Sequence, residues 1–178
     1  MKKVTIISSS FRNPSSSKKL AFEMMKGIKE NNEVSLIELD KINFNFCKGC
    51  LACQKTGKCI INDDIKNIIK EIQSSDILVF VTPIYFYSIS GQLKTFLDRL
   101  NPLFVSKENK FKEIYALFTC ADDNLSAIEG PIKALNGWIE CFENVKFINS
   151  FNGLSITNVN DISKETLEKA YEFGKEIK

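Results

Sequence analysis

The chain has 178 residues, 44% of them hydrophobic and 26% charged, with a formal net charge of +2. This length predicts one domain, residues 1–178. The sequence contains no histidine, which excludes a Ser-His-Asp triad, a Cys-His pair and an HExxH zinc site. Lysines and acids are interspersed along the chain, and the lack of a basic cluster argues against nucleic-acid binding.

The N-terminus and the apolar runs give no sign of export or of a membrane span. The longest apolar run, residues 77–81, is much shorter than a bilayer requires, and residues 1–7 are followed by polar residues instead of an apolar signal segment. Six cysteines in such a chain are expected to be reduced thiols or metal ligands. We therefore expect a cytoplasmic protein.

Five short apolar runs have the length and character of buried parallel strands. They are residues 3–8, 33–39, 76–82, 113–119 and 145–150. Segments with helical spacing of apolar residues alternate with these runs. They contain Leu20, Met24 and Ile28; Ile65, Ile68, Ile69 and Ile72; Leu93, Phe96, Leu97 and Leu100; Ile128, Ile132, Leu135, Ile139 and Phe142; and Ile162, Leu167, Tyr171 and Phe173. The alternation predicts an α/β domain with a doubly wound five-stranded parallel sheet and helices on both faces.

Two connections begin at the carboxyl ends of strands, where ligands of open α/β sheets bind. Residues 40–62 contain four cysteines and exceed the roughly 12–15 residues usual for a connection in a compact domain. Residues 83–90 include the consecutive aromatic residues Tyr85, Phe86 and Tyr87. Aromatic side chains at this edge favour a surface that covers a flat ligand or a partner subunit, and the alternative is a plug over the core.

The loop after the first strand has the composition of a phosphate site. Residues 8–17 read Ser-Ser-Ser-Phe-Arg-Asn-Pro-Ser-Ser-Ser and lead into a helix, so backbone N–H groups, hydroxyls and one guanidinium come together. The loop has no glycine and is neither a Walker loop nor a GxGxxG motif. The alternative is that the serines only cap the helix and form a turn. With the aromatic segment, the loop favours a mononucleotide such as FMN.

Three motifs, in order, resemble those of the flavodoxin-like NAD(P)H-dependent FMN reductases, a family that includes the iron-sulfur flavoproteins. Residues 9–17 resemble the family's phosphate loop. Residues 83–86 and 93–99 resemble its Pro-x-Tyr-Phe and Leu-Lys-x-x-x-Asp-Arg segments. The cysteine segment, at 47–59, resembles its Cys-x-Gly-Cys-x-x-Cys stretch and is followed, as in the family, by Asp-Asp at 63–64.

The resemblance, which covers roughly residues 4–119, implies bound FMN and a set of contacts to it. The phosphate would contact Ser10, Arg12, Ser16 and Ser17, the isoalloxazine ring would contact Pro83, Ile84, Tyr85 and Phe86, and Cys120 and Ala121 would add a third loop. The chain departs from the family at Ser9, Pro14 and Ser15, which replace residues of a glycine-containing loop. These departures bear on the loop geometry and on FMN affinity.

Four cysteines, Cys47, Cys50, Cys53 and Cys59, form the pattern C-x2-C-x2-C-x5-C. Structural zinc sites separate their two Cys-x-x-Cys pairs more widely, whereas overlapping pairs are typical of ferredoxin-type clusters. Two interpretations stay open: a [4Fe-4S] cluster on these four residues, or free thiols in a loop near the flavin and a subunit interface. Cys141 lies outside the pattern on an apolar segment, and we expect it in the core.

The resemblance implies an oxidoreductase that transfers reducing equivalents from NAD(P)H via bound FMN to a small-molecule or protein acceptor. The flavin carries the redox chemistry, which agrees with the absence of histidine, and we assign no catalytic residue. The helix start near Ser90 and Gly91 is expected to stabilise negative charge on the reduced flavin. The alternatives are an iron-sulfur electron carrier with a ferredoxin-like partner and a non-redox FMN-binding module. A flavin ring exposed in a monomer favours oligomerisation, and the resemblance implies a homodimer or homotetramer.

Overall fold

The computed structural model describes residues 1–178 and contains six strands and seven α-helices. The strands are β1 (Lys3–Ser8), β2 (Glu33–Glu38), β3 (Ile77–Tyr85), β4 (Ser88–Ile89), β5 (Glu113–Thr119) and β6 (Lys146–Gly153). The helices are α1 (Ser16–Ile28), α2 (Ala52–Thr56), α3 (Ile65–Ser74), α4 (Gly91–Arg99), α5 (Asn101–Phe104), α6 (Glu129–Ile139) and α7 (Lys164–Glu176). None of these helices is both long enough and apolar enough to cross a membrane.

The five long strands form one parallel sheet in the order β2-β1-β3-β5-β6, and the two-residue β4 pairs antiparallel with β3. With β4 set aside, this is the 2-1-3-4-5 order of the flavodoxin-like fold. The predicted fold class is therefore confirmed. Because β1 and β3 are neighbours at the centre, their carboxyl ends form one edge with that of β5.

The predicted bounds of β1 and β5 agree with the structure, whereas β6 ends three residues later than predicted. The same is true of β3. This strand continues through Tyr85 because Pro83 stays in register with Thr119 of β5 and Ile84 pairs with Ile89 of β4. The predicted aromatic connection is thus mostly a β-hairpin. A hairpin holds its side chains in place far better than an irregular loop does.

Each face of the sheet carries its own hydrophobic core, because side chains alternate along a strand. In β3, Leu78 and Phe80 pack into the core that also contains apolar residues of α3, α4 and α6. Ile77, Val79 and Val81 point to the other core, which also contains apolar residues of α1 and α7. The helices therefore cover both faces, as the near-continuous apolar strands predicted.

Helices α1 and α7 pack closely through two glycines, Gly27 and Gly174. A Cβ atom on Gly27 would overlap the Tyr171 carbonyl oxygen, and one on Gly174 would overlap the Met24 carbonyl oxygen. Only glycine permits this approach, which fixes α1 beneath the loop that follows β1.

Cys141 is not in the core. Helix α6 ends at Ile139, and Cys141 lies just beyond it on the surface. The apolar pattern of this segment is used instead by Trp138 and Phe142, whose ring centroids are 4.6 Å apart and which pack against Phe111. The prediction for Cys141 was wrong because a position two residues after the buried Ile139 lies on the opposite side of a helix, away from the core.

Candidate functional site

A cavity of about 180 Å³ lies where β1, β3 and β5 end. It is lined by Ser10, Arg12, Ser15, Ser16, Ser17, Pro83, Ile84, Tyr85, Thr119, Cys120, Ala121, Ile156 and Thr157. All of the predicted FMN contacts except Phe86 are in this set. Three segments far apart in sequence therefore meet at one place, the carboxyl edge of the sheet, which is the usual ligand position in this type of fold.

The polar end of the cavity is the N-terminus of α1. Ser15 caps the helix by accepting a hydrogen bond of 3.2 Å from the Lys18 backbone N–H, and its hydroxyl donates to Ser10 Oγ at 2.8 Å. The Ser17 hydroxyl shares a hydrogen bond of 2.6 Å with Thr119 Oγ1. The Ser16 hydroxyl is buried and has no partner. An unpaired buried hydroxyl is costly, so this one is available to a ligand.

Arg12 connects the loop after β1 to the segment after β6. Its Nη1 donates a hydrogen bond of 2.8 Å to the Thr157 carbonyl oxygen, and both residues line the cavity. The guanidinium is the one cationic group in the lining, so it gives this end a positive charge. The exposed position of Arg12 leaves its other N–H groups free to turn toward an anion.

The hairpin of β3 and β4 forms the apolar wall. Its two-residue turn consists of Phe86 and Tyr87, with φ values of 49° and 56°, as a type I′ turn requires. Phe86 is fully exposed at the tip and does not line the cavity, so the structure does not bring it together with the other predicted contacts. The Tyr87 hydroxyl donates to Asp122 Oδ2 at 2.8 Å, which ties the turn to the loop after β5.

The start of α4 supports the site from outside the cavity. Ser90 is buried and caps α4 by accepting from the Leu93 backbone N–H at 3.2 Å. Its own N–H donates to Thr82 Oγ1 at 3.1 Å, and its hydroxyl lies 3.0 Å from Ser9 Oγ. Neither Ser90 nor Gly91 lines the cavity. Ser90 therefore links β3, α4 and the loop after β1.

Cys120 lines the same cavity and is buried. Burial raises the pKa of its thiol, and nearby Asp122 raises it further, although a hydrogen bond to the Asp122 carbonyl acts the other way. The thiol is therefore neutral at ordinary pH and places no negative charge in the cavity.

Ser15, Thr119, Ile156 and Thr157 line the cavity but were not predicted. Ile156 and Thr157 lie beyond the part of the sequence that carries the family resemblance. Their backbone is nevertheless anchored, because the Ile156 N–H donates to the Cys120 carbonyl oxygen at 2.8 Å. The available signal was topological: in a parallel sheet the segment after β6 must emerge beside the one after β5.

The four cysteines of the C-x2-C-x2-C-x5-C pattern line a second, smaller cavity of about 20 Å³. Cys53 is buried in α2, Cys59 is half-buried, and Cys47 and Cys50 are exposed. No three histidine, cysteine, aspartate or glutamate side chains converge closely enough to hold a single metal ion. This cavity is about the size of one water molecule. The four cysteines thus line a common space without forming a site for a single metal ion.

The base of the cysteine loop is closed by polar contacts. The Asn43 N–H donates to Asp64 Oδ2 at 2.7 Å, and the Asp64 N–H returns a bond of 3.2 Å to the Asn43 carbonyl oxygen. The Asn45 N–H donates to Asp63 Oδ2 at 3.1 Å. Residues before the first cysteine are therefore held against residues after the last one.

Comparison with known proteins agrees with this geometry. Residues 2–129 match the family model of the NADPH-dependent FMN reductases. An iron-sulfur flavoprotein of Methanocaldococcus jannaschii is 37% identical over 102 residues, which cover 57% of this chain and 53% of that protein. An iron-sulfur flavoprotein of Archaeoglobus fulgidus is 29% identical over 102 residues, covering 57% and 46%. The matches thus span about half the length of these curated relatives.

Among solved structures, an NAD(P)H:quinone oxidoreductase from Methanothermobacter marburgensis superimposes with a TM-score of 0.75 at 16% identity, covering 99% of each chain. At this identity the likeness shows the fold alone. The family match covers well over half of the chain and includes the polar loop, the hairpin and the cysteine segment. The chain therefore belongs to the NADPH-dependent FMN reductase family.

Proposed function

We propose that this protein is an FMN-dependent oxidoreductase that transfers reducing equivalents from NAD(P)H to a small-molecule or protein acceptor. The observation that carries the proposal is the cavity at the carboxyl edge of the sheet, which joins a helix N-terminus and an unpaired buried hydroxyl at one end to an apolar hairpin at the other. Membership of the FMN reductase family supports it. Bound FMN would supply the redox chemistry, so no side chain has to act as an acid or base.

The phosphate of FMN fits the polar end. Ser16 offers a buried hydroxyl with no other partner, Ser10 and Ser17 offer hydroxyls from the same cavity, and Arg12 supplies a positive charge. The first backbone N–H groups of α1 have no acceptor within the helix and carry the positive end of its dipole. These donors suit the three oxygens of a phosphate monoester.

The ring of FMN fits the hairpin end. Pro83, Ile84 and Tyr85 would contact it, together with Cys120 and Ala121 of the loop after β5. Tyr85 is 45% exposed, so this chain alone would cover the ring only in part. We therefore propose that a second copy of the chain completes the cover in a homodimer or homotetramer.

The test is to purify the protein, add FMN, and mix the complex with NADH or NADPH in a stopped-flow spectrometer. We expect FMN to bind and its absorbance near the visible maximum to bleach with at least one nucleotide. A complex that binds FMN but stays oxidised with both nucleotides would identify an electron carrier. A protein that does not bind FMN at all would overturn the proposal.

The four cysteines favour a second cofactor. We propose that Cys47, Cys50, Cys53 and Cys59 hold a [4Fe-4S] cluster, which would make electron exchange with a ferredoxin-like partner possible. The support is that all four line one cavity and that the curated relatives named above are iron-sulfur flavoproteins. The cavity must widen to admit a cluster. Residues 46–51, which lie beyond the contacts at the base of the loop, have no regular structure and are exposed, so they leave room for the cavity to widen.

Anaerobic purification followed by iron and sulfide assays tests the cluster. We expect about four iron and four sulfide per chain, because a cubane of this type uses four cysteines. The variant Cys53→Ser should lose most of the iron, whereas the matched control Cys141→Ser, at an exposed cysteine outside the loop, should keep it. Iron-free protein from anaerobic cells and after reconstitution would leave only the free-thiol interpretation.

A further inference from the structure

Arg99, the last residue of α4, is the largest fully buried side chain of the protein and is only 1% exposed. Its guanidinium forms a two-pronged ion pair with Asp63, with Nη1–Oδ2 at 2.7 Å and Nη2–Oδ1 at 2.9 Å. Nη1 also donates to the Asn45 carbonyl oxygen at 2.6 Å. These contacts hold the base of the cysteine loop, and they use three of the N–H groups of the guanidinium.

A further hydrogen bond of the guanidinium goes to a sulfur atom. Nη2 donates a second hydrogen bond, of 3.6 Å, to Cys59 Sγ. Nε is buried and has no acceptor in the chain, and Arg99 lines the cavity that the four cysteines share. A purely structural ion pair would gain nothing from an unpaired buried donor beside this cavity. An anionic, sulfur-rich group bound to Cys59 would accept from Nη2 and would lie beside the buried guanidinium.

We propose that Arg99 is a positioning residue that donates an N–H group to the Cys59 sulfur and thereby raises the reduction potential of the cluster. The inference rests on the proposed [4Fe-4S] cluster and adds a residue to it that is not a ligand. Reduction adds one negative charge to a cluster, and hydrogen bonds to its sulfurs together with nearby charge set its potential. A donated N–H and a positive charge favour the reduced form.

The ion pair with Asp63 predicts opposite shifts of the reduction potential when either partner is replaced. The Asp63 carboxylate neutralises the guanidinium, so the cluster feels Arg99 through the N–H dipole and only weakly through the charge. Removing the Asp63 charge should unmask the charge of Arg99 and raise the potential further. Removing Arg99 should leave the Asp63 carboxylate alone and lower it. A role confined to holding the loop in shape predicts no such pair of opposite shifts.

The experiment compares reconstituted wild-type protein with Arg99→Gln, Arg99→Lys and Asp63→Asn by redox titration of the cluster's electron paramagnetic resonance signal. The control is Lys169→Gln, which removes a positive charge from a side chain 66% exposed on α7, a helix of the other core. We expect a more negative midpoint potential for Arg99→Gln, an intermediate value for Arg99→Lys, a more positive value for Asp63→Asn, and no change for the control.

Equal potentials in all variants, or shifts of the same sign in Arg99→Gln and Asp63→Asn, would overturn the inference. If Arg99→Gln does not fold, the positive shift in Asp63→Asn and the negative shift in Arg99→Lys decide the matter. Wild-type protein that takes up FMN but no iron overturns this inference and leaves the FMN proposal standing. Wild-type protein that takes up iron but no FMN overturns the FMN proposal alone.

Discussion

The two cavities are built in different ways. The proposed FMN cavity is formed by the ends of β1, β3 and β5 and by a helix N-terminus, so regular structure positions much of its lining. The cysteine cavity lies between a long loop with one short helix and the junction of α4 and α5, and the loop is held at its base by the buried pair of Asp63 and Arg99. The geometry of the proposed FMN cavity is therefore set by the sheet, whereas that of the cysteine cavity depends on a few polar contacts.

We expect the largest loss of stability when the ion pair at the base of the cysteine loop is broken. Asp63→Ala leaves the Arg99 guanidinium buried without its partner, and we expect the free energy of unfolding to fall by about 3–5 kcal/mol. Urea denaturation measures this loss. The control Glu165→Ala, at an exposed ion pair with Lys169, should cost about 0–1 kcal/mol. At urea concentrations where Asp63→Ala stays folded, its FMN affinity should equal that of wild type. A lower FMN affinity in the folded variant would show that the two sites are not independent.

The next effect concerns the polar end of the FMN cavity. Ser16→Ala removes a buried hydroxyl that has no partner in the chain, so apo-protein stability should not fall, while the Kd for FMN should rise about 10–100-fold, the equivalent of roughly 1.5–3 kcal/mol for a hydrogen bond to a charged group. Fluorescence titration with FMN measures the Kd. Ser15→Ala is the contrast: loss of this helix cap should cost about 1 kcal/mol of stability. An unchanged Kd in Ser16→Ala would remove Ser16 from the site.

A third prediction tests the close packing of α1 against α7. We propose that residues 1–178 unfold as one domain, so a local clash should shift the whole thermal transition. Gly174→Ala places a Cβ on the Met24 carbonyl oxygen and should cost about 1–3 kcal/mol. Gly137→Ala is the matched control, because its Cβ meets nothing within 4 Å on α6; it should gain about 0.5–1 kcal/mol. Separate transitions in calorimetry would contradict the single domain.

The smallest effect is a pH dependence beside the start of α1. Burial opposes ionisation of Glu38, but hydrogen bonds from Lys41 and Lys18 outweigh it and lower the pKa of its carboxyl. A lowered folded-state pKa contributes stability above the unfolded-state pKa, and this contribution disappears as pH falls through the folded-state value. Wild type should therefore exceed Glu38→Gln by about 0–1 kcal/mol near pH 7. The difference should vanish in acid, and a difference that persists there would contradict the assignment.

The fold could be predicted because the sequence patterns that indicate its strands and helices are local and repeated. Five apolar runs alternate with helical patterns, and the doubly wound order of such a chain follows from chain connectivity. The hairpin was harder, since Pro83 and three aromatic residues look like a loop. Whether they form a strand depends on the register between Pro83 and Thr119, which local sequence does not encode.

The candidate sites, like the fold, have features that local sequence predicts and features that it does not. The sequence by itself determined the polar loop, the cysteine spacing and the lack of any histidine, because these are properties of residue type and spacing. Three features depend on the tertiary structure: Phe86 lies outside the cavity, Thr157 lines it, and Arg99 of α4 contacts Cys59 of the cysteine loop. Such contacts join residues far apart in the chain, and packing of the sheet and helices sets their distances.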